Sequence, residues 1–284
     1  MQDMQDIYDW IDARRDELVA ELQELLRQPS ISAQNVGLQE CAALLRGQMI
    51  TDGLANTRIL PVPGAPPLVY ATQAAAAPNA KTLLCYSHYD VQPPEPLEKW
   101  IDPPFSAAIR DGVIYARGAT DNKSGALSFV RAAQAFNEVR GGPPVNLIFF
   151  CEGEEEVGSP HLARWVADHQ ELCACDASIG LDGGVHATSQ RPEIQLGIKA
   201  ILAVELRVAS HGIDFWSGRA QLLQARAAAW RLVHCLSSIF SPEGRILIDG
   251  WYDDLLPPDA DDLYYLREEL KYFDRRQLAE QLGL

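Results

Sequence analysis

The sequence predicts an α/β fold: a mainly parallel mixed sheet flanked by helices, followed by part of a smaller α+β unit. Three observations carry this expectation. Between residues 81 and 184, short apolar runs alternate with stretches of helical period. Polar or acidic residues, His88 and Asp90, Asp121, Glu154 to Glu156, and Asp182, each follow one such run, and open parallel sheets collect their chemistry at the carboxyl ends of strands. From about residue 199 the pattern changes to a second unit of strand, helix and strand, which divides the chain into 1–198 and 199–284.

The elements follow in order. Ile7, Trp10, Ile11, Leu18, Leu22 and Leu25 recur at helical spacing with charges between them, so one amphipathic helix is expected over 4–27, stopped by Pro29. A second helix is expected over 37–52, then strands over 57–62, 67–72 and 81–86, separated by Pro and Gly. The Pro-rich "VQPPEPLEKWIDPPFSAAIRDG" reads as a long irregular connection bordering a substrate cleft. "GVIYARGA" is then read as a strand, "SGALSFVRAAQAFNEV" as a helix, "VNLIFFCEG" as a buried strand, "PHLARWVADH" as a helix and "ASIGLDGG" as a strand. Beyond 199, "KAILAVELRVAS" and "GRILIDGWY" read as strands around a helix ending at "LSSIF", and the acidic "DDLLPPDADDLYYLREEL" leads into a terminal helical segment.

Composition narrows the function. With 284 residues, 47% of them hydrophobic, the chain can bury a sizeable core, and its net charge of -15 argues against wrapping nucleic acid or sitting on an anionic membrane. The first residues carry no basic stretch followed by an apolar one, and no segment approaches 18 uninterrupted apolar residues, so a cytoplasmic protein is expected. The six cysteines lack a framework of short spacings and are read as reduced thiols, with Cys173 and Cys175 assigned to helix-end packing rather than to a metal.

Taken singly, the candidate residues have plain explanations. His88 and Asp90 can be a polar strand end, and "GATDNKSG" a turn in which Asp121 caps a helix and Lys123 is solvated. The run "EGEEEVGS" can be an exposed acidic loop, but consecutive carboxylates at the mouth of a buried strand repel one another, and a divalent cation relieves this. Asp182 stands beside two glycines that permit close approach. Taken together, one His and several carboxylates at successive strand ends match a two-metal hydrolytic site, in which a carboxylate bridges ions about 3.5 to 4 Å apart.

In this combination the sequence resembles the dizinc amidohydrolases that include aminoacylase, acetylornithine deacetylase, succinyl-diaminopimelate desuccinylase and the carnosinase-like dipeptidases. The motifs "SHYDVQP", "YARGATDNKSG", "EGEEEVGS" and "LDGG" occur in that family's order and approximate spacing, over residues 5 to about 200. "DGWYDDL" near 249 and the "EGEEEVGS" form are similar to the dipeptidase branch. The resemblance implies a zinc-peptidase-like catalytic domain followed by a lid or dimerisation domain, possible homodimers through that lid, and a small peptide or N-acyl amino acid as substrate. It implies two Zn2+, replaceable by Mn2+ or Co2+. His88 and Asp182 would ligate the first ion, Asp121 would bridge both, and Glu156 would ligate the second. Asp90 would orient the His88 imidazole, Glu155 would be the general base, and Glu154 would be incidental. The resemblance also implies a cis peptide between Asp121 and Asn122.

Two departures matter. The family's second ion takes a further His from a resumed catalytic domain, and here the last histidine is His234, inside the expected lid helix, so a truncated chain or a fragment of a longer enzyme is expected. The lid motif reads "DFWSG", with Trp216 where relatives carry an oxyanion-stabilising His, and His211 lies five residues earlier. One tight and one weak metal position are therefore expected. The alternative to a hydrolase is a catalytically impaired homologue that binds metal or assembles without turnover; a single-zinc aminopeptidase-like enzyme is a third reading.

Overall fold

The computed structural model describes residues 4–183, 193–197, 201–209, 227–281 and 283. Trp216 and His211 lie outside them. The chain divides into two compact units, residues 1–185 and 186–284, a boundary thirteen residues before the expected one.

The first unit opens with α1 (Gln5–Ala13) and α2 (Arg15–Arg27), where a single helix was expected; the chain turns at Arg14. α3 (Leu38–Thr51) follows, then β1 (Arg58–Leu60), β2 (Leu68–Gln73) and β3 (Thr82–His88). β4 (Ala108–Arg110) and β5 (Val113–Tyr115) form a separate hairpin rather than a strand of the main sheet. Its two-residue turn is Asp111-Gly112, both at positive φ (51° and 78°), the geometry that matches strand twist in tight hairpins. α4 (Lys123–Arg140) ends on Gly141 in the left-handed conformation. β6 (Asn146–Glu152), α5 (Leu162–Asp168), α6 (Gln170–Cys173) and β7 (Ala177–Gly180) complete the unit.

The main sheet has the order β1-β2-β6-β3-β7. β3 runs parallel to both β6 and β7, whereas β2 is antiparallel to β6 and to β1. The sheet is thus mixed, with its parallel part where the expected site lies. In the parallel register His88 stands opposite Glu152, so two strands deliver polar groups to the same edge.

Both faces are covered, as the near-continuous apolar runs of β3 and β6 require. Val69, Ala71, Cys85, Leu147, Phe149 and Cys151 point to one face and pack with Leu25 of α2, Cys41, Leu45 and Met49 of α3, and Leu127 and Val130 of α4. The alternate residues Leu68, Tyr70, Ile148 and Phe150 pack on the other face against Trp165 of α5, whose ring meets Phe150 edge-on at 5.8 Å. The strict alternation follows from the two-residue side-chain period of a strand. α1 is held separately, by Ile7 and Trp10 against Ala135 of α4.

In the second unit, α7 (Ala228–Ile239), α8 (Ala260–Leu270) and α9 (Arg275–Gln281) are regular. α8 begins with a reciprocal capping box between Asp259 and Asp262. The strands expected from "KAILAVELRVAS" and "GRILIDGWY" are not formed among the described residues: 201–209 carry no regular structure, and near 246 there is only an isolated antiparallel bridge, Phe240 to Ile246. Among the described residues no helix is long and apolar enough to cross a membrane.

Candidate metal centre

Four chain segments meet at the carboxyl edge of the parallel strands. β3 ends on His88, whose side chain is fully buried. Asp121 stands two residues before α4, whose N-cap is Asn122 rather than Asp121, Glu155 and Glu156 open a short 3-10 turn (Glu155–Val157) after β6, and Asp182 follows β7. The residues that the sequence singles out thus come together in space from stretches up to ninety-four positions apart (88 to 182).

His88 organises the cluster. Its Nδ1 lies 3.1 Å from the Asp90 backbone oxygen and 3.3 Å from Asp90 Oδ1. Its Nε2 lies 3.0 Å from Asp121 Oδ1, 3.6 Å from Asp182 Oδ2 and 3.8 Å from Glu155 Oε2, yet makes no aligned hydrogen bond among the described residues. Ligand atoms of His88, Asp121 and Asp182 all lie within 4.8 Å of one another. Donors about 2.0–2.1 Å from a tetrahedral ion stand about 3.3 Å apart, so this spacing and the N/O donor set fit a divalent cation such as zinc. A buried nitrogen facing carboxylates without a hydrogen bond is an arrangement such an ion satisfies.

Asp90 is also fully buried and does more than face the imidazole. Its Oδ1 accepts the Glu155 N–H and its Oδ2 the Glu156 N–H, each at 3.1 Å. One carboxylate therefore orients the ring and caps the turn that bears both glutamates. Glu156 lies outside the three-residue group: its carboxylate accepts from the Gln92 backbone N–H at 3.2 Å and from Gln92 Nε2 at 2.9 Å. The peptide bond between Asp121 and Asn122 is cis.

The electrostatics are those of a crowded acidic pocket. Burial pushes the His88 imidazolium down, but Asp90, Asp182 and Glu155 outweigh it and raise the group to about 9. Burial first, then mutual repulsion, pushes Glu155, Glu156 and Asp182 above the usual carboxylate range, against the pull of His88. A cation added here relieves both effects.

Several supporting residues escaped sequence reasoning. Lys123, expected in solvent, is fully buried; its Nζ donates to the Leu25 and Gln28 carbonyls, which the end of α2 leaves without helical partners. Gly125 lies in the first turn of α4, and a Cβ there would come within 2.4 Å of the Leu181 carbonyl and 1.9 Å of Asn122 Oδ1. Its missing side chain lets the end of β7, and with it Asp182, approach α4. The visible signal was a glycine four residues after Asp121, in a stretch otherwise suited to helix. Glu154, expected to be incidental, binds His161 through its carboxylate, accepting the His161 N–H at 2.9 Å.

Comparison with known proteins agrees with the motifs. The Beta-Ala-His dipeptidase of Homo sapiens is 28% identical over 276 residues, covering 89% of this chain and 53% of its own length. The Cys-Gly metallodipeptidase dug1 of Schizosaccharomyces pombe is 28% identical over 286 residues, covering 93% of this chain and 59% of its own. Among solved structures, the M20 family metallo-carboxypeptidase Sso-CP2 of Sulfolobus solfataricus superposes with a TM-score of 0.80 at 32% identity, over 94% of this chain and 59% of that one. The chain thus spans little more than half the length of these relatives. The sequence profile of peptidase family M20/M25/M40 matches residues 84–249, from within β3 past α7, and the chain belongs to that family.

Proposed function

We propose that this chain carries the metal-dependent hydrolytic site of a dipeptidase-type enzyme, which cleaves the amide bond of dipeptides or N-acyl amino acids. The observation behind this reading is the buried His88 Nε2, without a hydrogen bond among the described residues and faced by oxygens of Asp121, Asp182 and Glu155. The names of the relatives, Beta-Ala-His and Cys-Gly dipeptidases, support the dipeptide side.

His88, Asp121 and Asp182 hold one ion tightly; Asp121 and Glu156 supply too few ligands for an equally tight second. A bound Zn2+, or Mn2+ or Co2+ in its place, supplies polarisation of the scissile carbonyl and lowers the pKa of a water. Glu155, its carboxyl raised by burial, takes the proton from the attacking water and delivers it to the leaving amine nitrogen. Asp90 keeps Nδ1 engaged so that Nε2 faces the ion. Residues 199–284 act in this reading as part of a lid through which two copies pair, and six free cysteines suit a cytoplasmic setting.

Zinc titration of the metal-free chain, paired with assays on dipeptides and N-acyl amino acids, tests the reading. One tight equivalent is expected, and Glu155→Ala is expected to lower turnover by about 10² to 10⁴. Equal rates in the two proteins rule out the base, and two tight equivalents refute the unequal sites. A second reading, metal binding without turnover, draws on the group containing a single histidine among the described residues; it requires metal uptake with no hydrolysis.

A further inference from the structure

The acidic run from Glu152 to Glu156 contains four carboxylates, and two of them serve neither as proposed ligand nor as proposed base. Glu152 is the last residue of β6, 1% exposed, and sits opposite His88 in the parallel register. Its Oε1 accepts the Tyr86 hydroxyl at 2.5 Å and the Ser159 hydroxyl at 2.8 Å. Its Oε2 is buried without a hydrogen-bond partner among the described residues. A carboxylate in such a place is costly, which makes a structural accident a poor explanation.

The other end of the contact is equally specific. Ser159 adopts a φ of +48°, in the left-handed region that residues other than glycine seldom occupy. Its N–H bonds the Glu154 carbonyl at 3.0 Å, closing the turn over Glu155–Val157 from behind. The Glu154 side chain in turn fixes His161, two residues beyond Ser159. The turn is therefore held in front by Asp90, on the amides of Glu155 and Glu156, and behind by Glu152, on Ser159.

We propose that Glu152 is a positioning residue: through Ser159 it fixes the turn that carries Glu155 and Glu156, with Tyr86 holding the Glu152 carboxylate in place. The assignment rests on the hydrolytic reading only in that Glu155 is there the base. Glu152 does not touch the reacting atoms; it restricts where the base can stand.

Amide exchange of the metal-free full chain, resolved by residue, tests this. Glu152→Ala and Ser159→Ala are each expected to speed exchange at Glu155 and Glu156 by about tenfold, the population change from losing roughly one net hydrogen bond. Leu84 and Phe149 in the strands should be unmoved. Glu152→Gln retains an oxygen for both hydroxyls and should stay within about twofold of wild type. Unchanged exchange at the turn in Ser159→Ala overturns the proposal, as does acceleration spread evenly over β3 and β6. Ser159 is only half-buried, so this variant decides the matter if Glu152→Ala does not fold. A wild-type chain that takes up no zinc overturns the hydrolytic reading instead, and leaves the exchange result standing.

Discussion

The two units of the chain handle apolar residues in opposite ways. In the first, Val69, Ala71 and Leu45 are wholly buried, and the two sheet faces take alternate residues of each strand. In the second, no described residue is fully buried, and Trp230, Val233 and Leu236 of α7 remain 44%, 52% and 43% exposed. Yet both sequences are amphipathic. An apolar stripe sets a helix's facing; stability requires something to pack against it. The first unit supplies that partner from its own sheet, which lets it hold buried charge such as His88, Asp90 and Lys123 at one edge.

The contrast can be broken by mutation. Phe149→Ala, in the middle of β6, should cost about 3 to 5 kcal/mol by denaturant unfolding; a loss below about 1 kcal/mol would place the first unit's stability elsewhere. Saturating zinc should next raise the unfolding free energy of the first unit, by about 2.7 kcal/mol at a hundredfold excess over the dissociation constant. Asp182→Asn should abolish most of that gain in a thermal-shift titration, and an undiminished gain would remove Asp182 from the ligand set.

Gly125→Ala sharpens the comparison, because two effects have opposite sign. Helix propensity favours Ala by about 1 kcal/mol, whereas the crowded contact with the Leu181 carbonyl predicts a loss of about 1 to 3 kcal/mol. A stabilised variant with unaltered zinc affinity would show that β7 does not need the close approach. Smallest of all should be Leu236→Ala in α7, within about 0.5 kcal/mol, as for surface positions generally. A large effect there would mean that this face is covered in solution.

Much of the first unit was legible in the sequence because strand and helix periods are written in residue types. The unbroken apolar run "LIFFC" and the polar groups after each such run place His88, Asp121, Glu155 and Asp182 at one sheet edge, where the structure brings them together. What remained hidden depends on partners distant in sequence. Lys123 reads as solvated until the unpaired carbonyls at the end of α2 are brought to it. "GVIYARGA" reads as a sheet strand although its Gly112, with Asp111 before it, forms the Asp-Gly pair typical of a hairpin turn. The break at Arg14 leaves no mark in the periodicity, since α1 packs on α4 and the residues either side of the break keep their helical spacing. In the second unit the strand-like alternation of 201–209 met no neighbour among the described residues, and alternation alone does not make a strand.

The single carboxylate of Asp90 touches both the His88 ring and the amides of Glu155 and Glu156. The end of one strand and the turn after another are therefore not free to drift apart, and a displacement of either is shared by both. For anyone rebuilding this edge to take a different ion or substrate, the spacing from His88 to Asp90 is a fixed length. Inserting one residue there would release the ring and the proposed base in the same step, whereas an exchange at Asp121, whose carboxylate stands at Nε2, leaves the Asp90 contacts to Nδ1 and to the two amides in place.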